Sequence, residues 1–281
     1  MNDCFGDFSM REAKIRAIKQ SIISLIILLD TSGSMRGRRI NEVNTVMSGL
    51  SDLIKNVEES YCVQVRLRVI QFDSVATWVL GDTEHYVCNY QFSGYDHAIE
   101  SMAWIPLVTG GTTATAEAIA LARSAVHNDF YPKNAPHILN NEFNRSYYYP
   151  SIILLITDGM SNDPSLTATA IEYLKRSAPQ KYENQTSRIA IGIGGAGLDE
   201  LKRFASVGKI EHGDGTKSET IPLAFFYEHY EEDMLGKNLK SIIRSAIVSS
   251  ISYGRLDESE NLEYLPVISE YHDAGDDWLD C

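Results

Sequence analysis

Asp30, Ser32 and Ser34 stand at alternate positions in Asp-Thr-Ser-Gly-Ser, and together they place one carboxylate and two hydroxyls within five residues. Hard oxygen donors of this kind suit Mg²⁺ or Mn²⁺ rather than zinc. A second carboxylate with a similar setting is Asp158, in Thr157-Asp-Gly159. A third polar group is the glycine-bearing loop Thr109-Gly-Gly-Thr-Thr-Ala-Thr115. Each motif has a plain structural alternative. Asp30 and Ser32, for example, are of the types that cap a helix, here one starting near Arg38.

The elements that must carry these residues are legible around them. Leu25-Ile-Ile-Leu-Leu29 is too short to cross a membrane and too uniformly apolar for a half-exposed strand, so it fits a central parallel strand buried on both faces. Ser151-Ile-Ile-Leu-Leu-Ile-Thr157 repeats that grammar and again ends at a carboxylate. Open α/β folds bind ligands at the carboxyl ends of such strands, where both motifs fall. Between them the pattern predicts a helix over 41–57 and a strand over 63–72. Asp73-Ser74 then turns the chain into an antiparallel edge strand over 75–80, and a helix follows near 113–127. Further on come a buried strand over 188–194, a helix over 198–205 and a closing helix over 233–250. Strands alternating with helices make a doubly wound α/β domain, with a mostly parallel central sheet, helices on both faces and one antiparallel edge strand. Residues 128–149, rich in Asn, Tyr and Pro, read as a long loop.

Taken together, Asp-x-Ser-x-Ser, the threonine of a Gly-Gly-Thr loop, and Thr-Asp-Gly after a later strand resemble the von Willebrand factor A family and its metal-ion-dependent adhesion site. The resemblance runs from about Ile22 to Ile251, and the three motifs occur in the family's order. It implies that Ser32, Ser34 and Thr112 are hydroxyl ligands of a divalent cation, with Asp30 and Asp158 acting largely through bound waters. Thr113 is the alternative for the threonine position. The ion implied is Mg²⁺, with Mn²⁺ as a substitute. Few directly bound anions leave it electrophilic, and its open position would take an Asp or Glu carboxylate from a partner protein. Within the family the chain is similar to the small intracellular bacterial members of tellurite-resistance and chemical-stress systems, on Met35-Arg-Gly after Ser34. Those are regarded as non-enzymatic binding modules, sometimes beside a kinase and a phosphatase.

Composition agrees with a binding module. A chain of 281 residues that is 44% hydrophobic can bury a full core. The segments expected are an N-terminal extension over 1–20, a main domain over 21–252 and an acidic tail over 253–281. No run of some eighteen apolar residues occurs, so no membrane-spanning helix is expected. The N-terminus lacks a basic-then-apolar leader, which points to a cytoplasmic protein. The stretch 11–20 reads as a short basic amphipathic helix packed on the domain rather than on a membrane. Cysteines 4, 62, 88 and 281 show no C-x-x-C spacing. Free thiols are the simpler account, and a Cys62–Cys88 bridge is the alternative. The sequons at Asn144 and Asn184 carry no meaning without export.

Net charge is −13, but nine acidic residues and no Lys or Arg lie between Asp257 and Cys281. Without that segment the chain has 25 basic and 29 acidic residues, a balance of −4. Net acidity argues against nucleic-acid binding. The tail reads as a solvated terminus, or as a ligand for the metal site in cis or from a second copy. Arg36, Arg38 and Arg39 beside the first motif would attract such anions.

Other chemistries fail on the residues. Gly192-Ile-Gly-Gly-Ala-Gly197 lacks dinucleotide-binding spacing. Asp30-Thr-Ser-Gly has no second copy to build an aspartic-protease pair, and Ser32 stands where an Asp-x-Asp phosphatase needs its second carboxylate. The histidines show no H-E-x-x-H pair, and no G-x-S-x-G elbow occurs. A metal-dependent phosphatase or hydrolase remains the alternative function, with Asp163 as its spare carboxylate, and an extracellular adhesin is a third.

Overall fold

Ile23 and Leu25 through Leu29 are buried on both faces of one strand, and this strand organises the rest of the molecule. The computed structural model describes residues 21–87, 104–130, 149–176, 186–211, 219–228, 234–254 and 266–269. Strand β1 (Ser21–Asp30) pairs in parallel with β2 (Val63–Phe72) on one side and with β4 (Ser151–Thr157) on the other. Strand β3 (Ala76–Leu80) is antiparallel to β2 at the edge, as expected from the Asp73-Ser74 turn. Beyond β4, β5 (Thr186–Ile193) and β8 (Ala224–Tyr227) continue the parallel set. The sheet order is β3-β2-β1-β4-β5-β8.

Helices cover both faces. On one lie α1 (Arg38–Ser48), α2 (Leu50–Tyr61) and α6 (Met234–Gly254). On the other lie α3 (Thr115–Phe130), α4 (Pro164–Lys175) and α5 (Leu198–Phe204). The single helix expected over 41–57 is two, divided at Gly49, which is the C-cap of α1 and the N-cap of α2. Glycine is a poor helix interior residue, and the break lets Met47 and Leu50 both enter the core.

The region after α5 holds a hairpin that the alternation pattern did not show. Strands β6 (Val207–Glu211) and β7 (Glu219–Pro222) pair antiparallel, and β9 (Val267–Ser269) adds in parallel to β6. The acidic C-terminal stretch therefore contributes a strand. Ile268 is fully buried, and the Val267 N–H donates to Ser249 Oγ on α6. The expected 11–20 helix, the sequons and most of the 128–149 loop lie outside the described residues. Cys62 is an exposed free thiol in left-handed conformation at the end of α2. Among the described residues, no helix is long and apolar enough to cross a membrane.

This topology makes β1 and β4 the switch point. The chain leaves β1 toward β2 on one side and returns to β4 on the other, so a crevice opens beyond their carboxyl ends. Asp30 ends β1, and Asp158 follows β4 directly.

Candidate metal centre

The two strand ends bring four segments together. Leu29 is level with Ile156 in the β1–β4 ladder, which sets Asp30 beside Thr157. The Thr157 hydroxyl donates to Asp30 Oδ2 at 2.5 Å, and the Ser32 N–H donates to Asp30 Oδ1 at 2.8 Å. Ser32 Oγ and Ser34 Oγ lie 3.0 Å apart, and Ser34 Oγ donates to Asp158 Oδ1 at 2.6 Å. A continuous row of oxygens thus joins the first motif to the third. Neither Asp30 nor Ser32 caps α1; its N-cap is Gly37, which has no side chain to offer. The capping account of the first motif fails on that geometry.

Backbone contacts hold the loops in place. Thr31 N–H donates to the Phe72 carbonyl, Gly110 N–H to the Thr31 carbonyl, and Gly33 N–H to the Gly111 carbonyl. Gly111 has φ +68°, and a Cβ there would sit 2.5 Å from Ser74 Oγ, so the close approach of this loop to the β2–β3 turn requires glycine.

The loop carries two successive threonines, and the structure separates them. Thr112 is exposed, and both its N–H and its hydroxyl are directed at Ser74 Oγ, at 3.2 and 3.4 Å. Thr113 is buried, held by Asn162 N–H donating to its carbonyl. A Cβ built on Gly159 would lie 3.4 Å from Thr113 Oγ1, 3.8 Å from Ser34 Oγ and 3.9 Å from Asp30 Oδ2. Three oxygens from three segments therefore face one spot. Of the five residues named from sequence, Asp30, Ser32, Ser34 and Asp158 lie together; Thr112 is directed at Ser74, while the Thr113 hydroxyl lies on the Gly159 side with Ser34 and Asp30.

Electrostatically the centre is half neutralised. Asp30 is fully buried, and burial pushes its carboxyl above the usual value. Hydrogen bonds from Thr157 and Ser32 oppose that rise, and the charge of Asp158 adds to it. Asp158, with no exposed side-chain surface, accepts from Arg39 Nη1 through its second oxygen. Arg39 also donates to the Ser34 carbonyl at 3.0 Å. Arg38 instead pairs with Glu42 along its own helix at 2.6 Å, while Arg36 is exposed. The three arginines are thus not equivalent, and one of them is tied to the carboxylate of the third motif.

Asp163, the spare carboxylate, is the N-cap of α4, where its side chain accepts from Leu166 N–H at 2.9 Å. Sequence reasoning missed Thr157, whose signal is a hydroxyl closing an otherwise apolar strand. It places Arg39 near the site among three arginines, and nothing in the sequence singles it out as the partner of Asp158.

A hard divalent cation fits this donor set. The oxygens are hydroxyl and carboxylate only, and they converge on a small cradle beside a glycine. Bound there, the ion would supply Lewis acidity toward an incoming anion. Among the described residues no three His, Cys, Asp or Glu side chains group as an alternative metal site.

Residues 24–220 match the family model described as the von Willebrand factor type A domain. Among solved structures, the chain is similar to a von Willebrand factor type A protein from Catenulispora acidiphila. The identity is 17% and the TM-score 0.50, over 80% of this chain and 42% of that one. It is also similar to proximal thread matrix protein 1 of the mussel byssus, described with a zinc-occupied MIDAS motif, at 15% identity and TM-score 0.48, over 80% of this chain and 46% of that one. A third is the ArnB paralog VWA2 from Sulfolobus acidocaldarius, at 15% identity and TM-score 0.45, over 80% and 46%. The chain spans less than half the length of each of these three. No curated protein matches it.

Proposed function

The chain belongs to the von Willebrand factor type A domain family, and on that premise we propose that it is a metal-dependent protein-binding module. In this reading Ser32, Ser34 and Thr113 supply hydroxyl ligands, Asp30 and Asp158 supply outer carboxylates, and the ion is Mg²⁺, with Mn²⁺ able to substitute. The observation that carries it is the convergence of Asp30, Ser34 and Thr113 oxygens on the face of Gly159. Mg²⁺ dehydrates reluctantly and keeps several waters, so neutral hydroxyls with carboxylates behind them are a suitable cage. With few anions bound directly, the ion keeps affinity for a carboxylate.

The partner proposed is a protein presenting an Asp or Glu at the carboxyl edge of the sheet, where Ser34 and Arg36 are exposed. A bacterial stress setting, with a kinase or phosphatase as neighbour and a cytoplasmic location, is the context that Met35-Arg-Gly supports. A hydrolase needs a free general base or nucleophile, and the spare carboxylate, Asp163, is engaged as a helix cap. Binding is therefore the better reading.

Calorimetric titration of Mg²⁺ into wild type and Ser34→Ala tests it. The variant should bind the ion at least tenfold more weakly, a loss of about 1.4 kcal/mol or more, with an unchanged circular dichroism spectrum. Equal affinity in both would reject the site. Phosphomonoesterase turnover abolished by Asp30→Ala would reject the binding-module reading itself.

A further inference from the structure

Asp158 has two oxygens and two claimants. Its Oδ1 belongs to the hydroxyl row, through Ser34, while its Oδ2 is taken by the Arg39 guanidinium. The seat of that guanidinium is shaped for it. Gly194, at the exit of β5, has φ +63°, and a Cβ there would come within 2.3 Å of Arg39 Nη2 and 2.8 Å of its Cζ. A side chain at 194 would force the guanidinium to move. Arg39 also sits in the first turn of α1, where the helix macrodipole disfavours a cation. It is held there by the buried carboxylate and by the Ser34 carbonyl. Unlike Asp158, whose side chain is fully enclosed, the arginine is 33% exposed, so it has a path to solvent.

We propose that the Arg39 guanidinium and the metal ion compete for Asp158, so that Arg39 is the residue that sets how tightly the site holds its cation. The inference rests on the metal-site reading above. A buried carboxylate left without a cation is costly, and Arg39 removes that cost. The same charge weakens what Asp158 offers a divalent ion at the adjoining hydroxyls and repels the ion directly. Deleting it removes both effects, and one elementary charge a few ångströms away in a solvated site changes affinity on the order of tenfold. The two consequences run in opposite directions. Without the metal the protein loses stability, and toward the metal it gains affinity.

The experiment uses the full chain treated with EDTA, titrated with Mg²⁺ and separately with Mn²⁺ by calorimetry, with thermal melts before and after loading. Arg39→Gln keeps a donor near Asp158 but no charge. It should bind Mg²⁺ about tenfold more tightly than wild type, melt lower in EDTA, and gain more on loading. Arg39→Lys keeps the charge and should stay within about twofold of wild type. Gly194→Ala, which displaces the guanidinium without deleting it, should tighten binding as well. It decides the matter if Arg39→Gln is too unstable to titrate. Wild type binding metal while both Arg39→Gln and Gly194→Ala bind no tighter overturns the competition and leaves the metal site standing. If none of the four proteins binds Mg²⁺ or Mn²⁺, the metal reading falls and the competition with it.

Discussion

Thr157 and Asp30 meet across the seam between β1 and β4, with the Thr157 hydroxyl donating to Asp30 Oδ2 at 2.5 Å. The threonine closes a strand whose other residues are mostly aliphatic, and the aspartate closes its neighbour. One hydroxyl therefore orients a fully buried carboxylate from the next strand. The same Thr157 oxygen also accepts from Gly159 N–H at 3.2 Å, so it ties the glycine of the third motif to the aspartate of the first.

Replacing that hydroxyl with a methyl group tests how much the tie contributes. Thr157→Val keeps the shape and the β-propensity of the strand but leaves a buried carboxylate oxygen without its donor. A stability loss of about 1–3 kcal/mol is expected in urea denaturation. A change below about 0.5 kcal/mol would show that Asp30 is satisfied in some other way.

The two threonines of the glycine loop should separate cleanly. Thr113→Ala removes an oxygen that faces the cradle and should weaken Mg²⁺ binding about tenfold. Thr112→Ala removes a hydroxyl directed at Ser74 and should change affinity less than about twofold, a shift below roughly 0.5 kcal/mol. Calorimetry on the pair is decisive, and the reverse order would return the ligand role to Thr112.

Asp30 also makes a prediction in pH. Its folded carboxyl is raised above its ordinary value of 3.8, by burial first, and the folded chain therefore holds this proton more tightly than the unfolded chain does. That contribution to stability is present below 3.8 and is lost as pH rises through the folded value. Asp30→Asn, prepared in EDTA, should be at least as stable as wild type at pH 7 and should lose any advantage as the pH is lowered toward 3. The Thr157 hydroxyl can turn to donate to the Gly159 carbonyl, 3.3 Å away, and accept from the new amide. Metal binding should nevertheless be lost. Thermal melts across the pH range check the sign, and a marked destabilisation at pH 7 would contradict it.

Away from the site, Arg68 and Asp129 form a two-pronged ion pair, with both contacts at 2.8 Å and side chains 1% and 8% exposed. Ser24 donates to the same carboxylate at 2.8 Å. Arg68→Met strands Asp129 and should cost about 3–5 kcal/mol. Adding Asp129→Leu should recover much of that loss, because the pair is then replaced by apolar packing. If the double variant were no better than the single one in urea titrations, the cost would lie in the other contacts of Arg68, including its hydrogen bonds to the Asp82 and His85 carbonyls, rather than in the stranded charge.

The strand formed by Val267–Ser269 yields a last expectation. Ile268→Ala removes a fully buried side chain next to α6 and should cost about 2–5 kcal/mol. A negligible effect on the melting temperature would mean that this part of the acidic stretch is not integral to the domain.

The sequence by itself determined the central sheet and the identity of the polar motifs. Two aliphatic runs, Leu25–Leu29 and Ile152–Ile156, are too apolar for anything but strands buried on both faces, and a strand of that kind must deliver its last residue to the sheet's carboxyl edge. Asp30 and Asp158 therefore fall on one edge on sequence grounds alone, and Ser32 and Ser34 stand beside Asp30 by their spacing. Tertiary structure decided whatever depends on which way a side chain turns. Thr112 and Thr113 are chemically equivalent in the sequence, and only the contact of Thr112 with Ser74, 38 residues earlier, takes it away from the cradle. Arg36, Arg38 and Arg39 form one basic cluster on paper. Their separation into an exposed charge, a partner of Glu42 and a partner of Asp158 comes from the pitch of α1 and from a glycine at 194 that leaves room for a guanidinium. The strand at Val267–Ser269 was hidden by its acidic flanks, because charge marks solvated chain on average while three residues can still pair where an edge strand such as β6 offers its backbone groups. Local pattern fixes which residues alternate and which are apolar. Contacts between residues far apart in the chain fix which of two like neighbours faces the site.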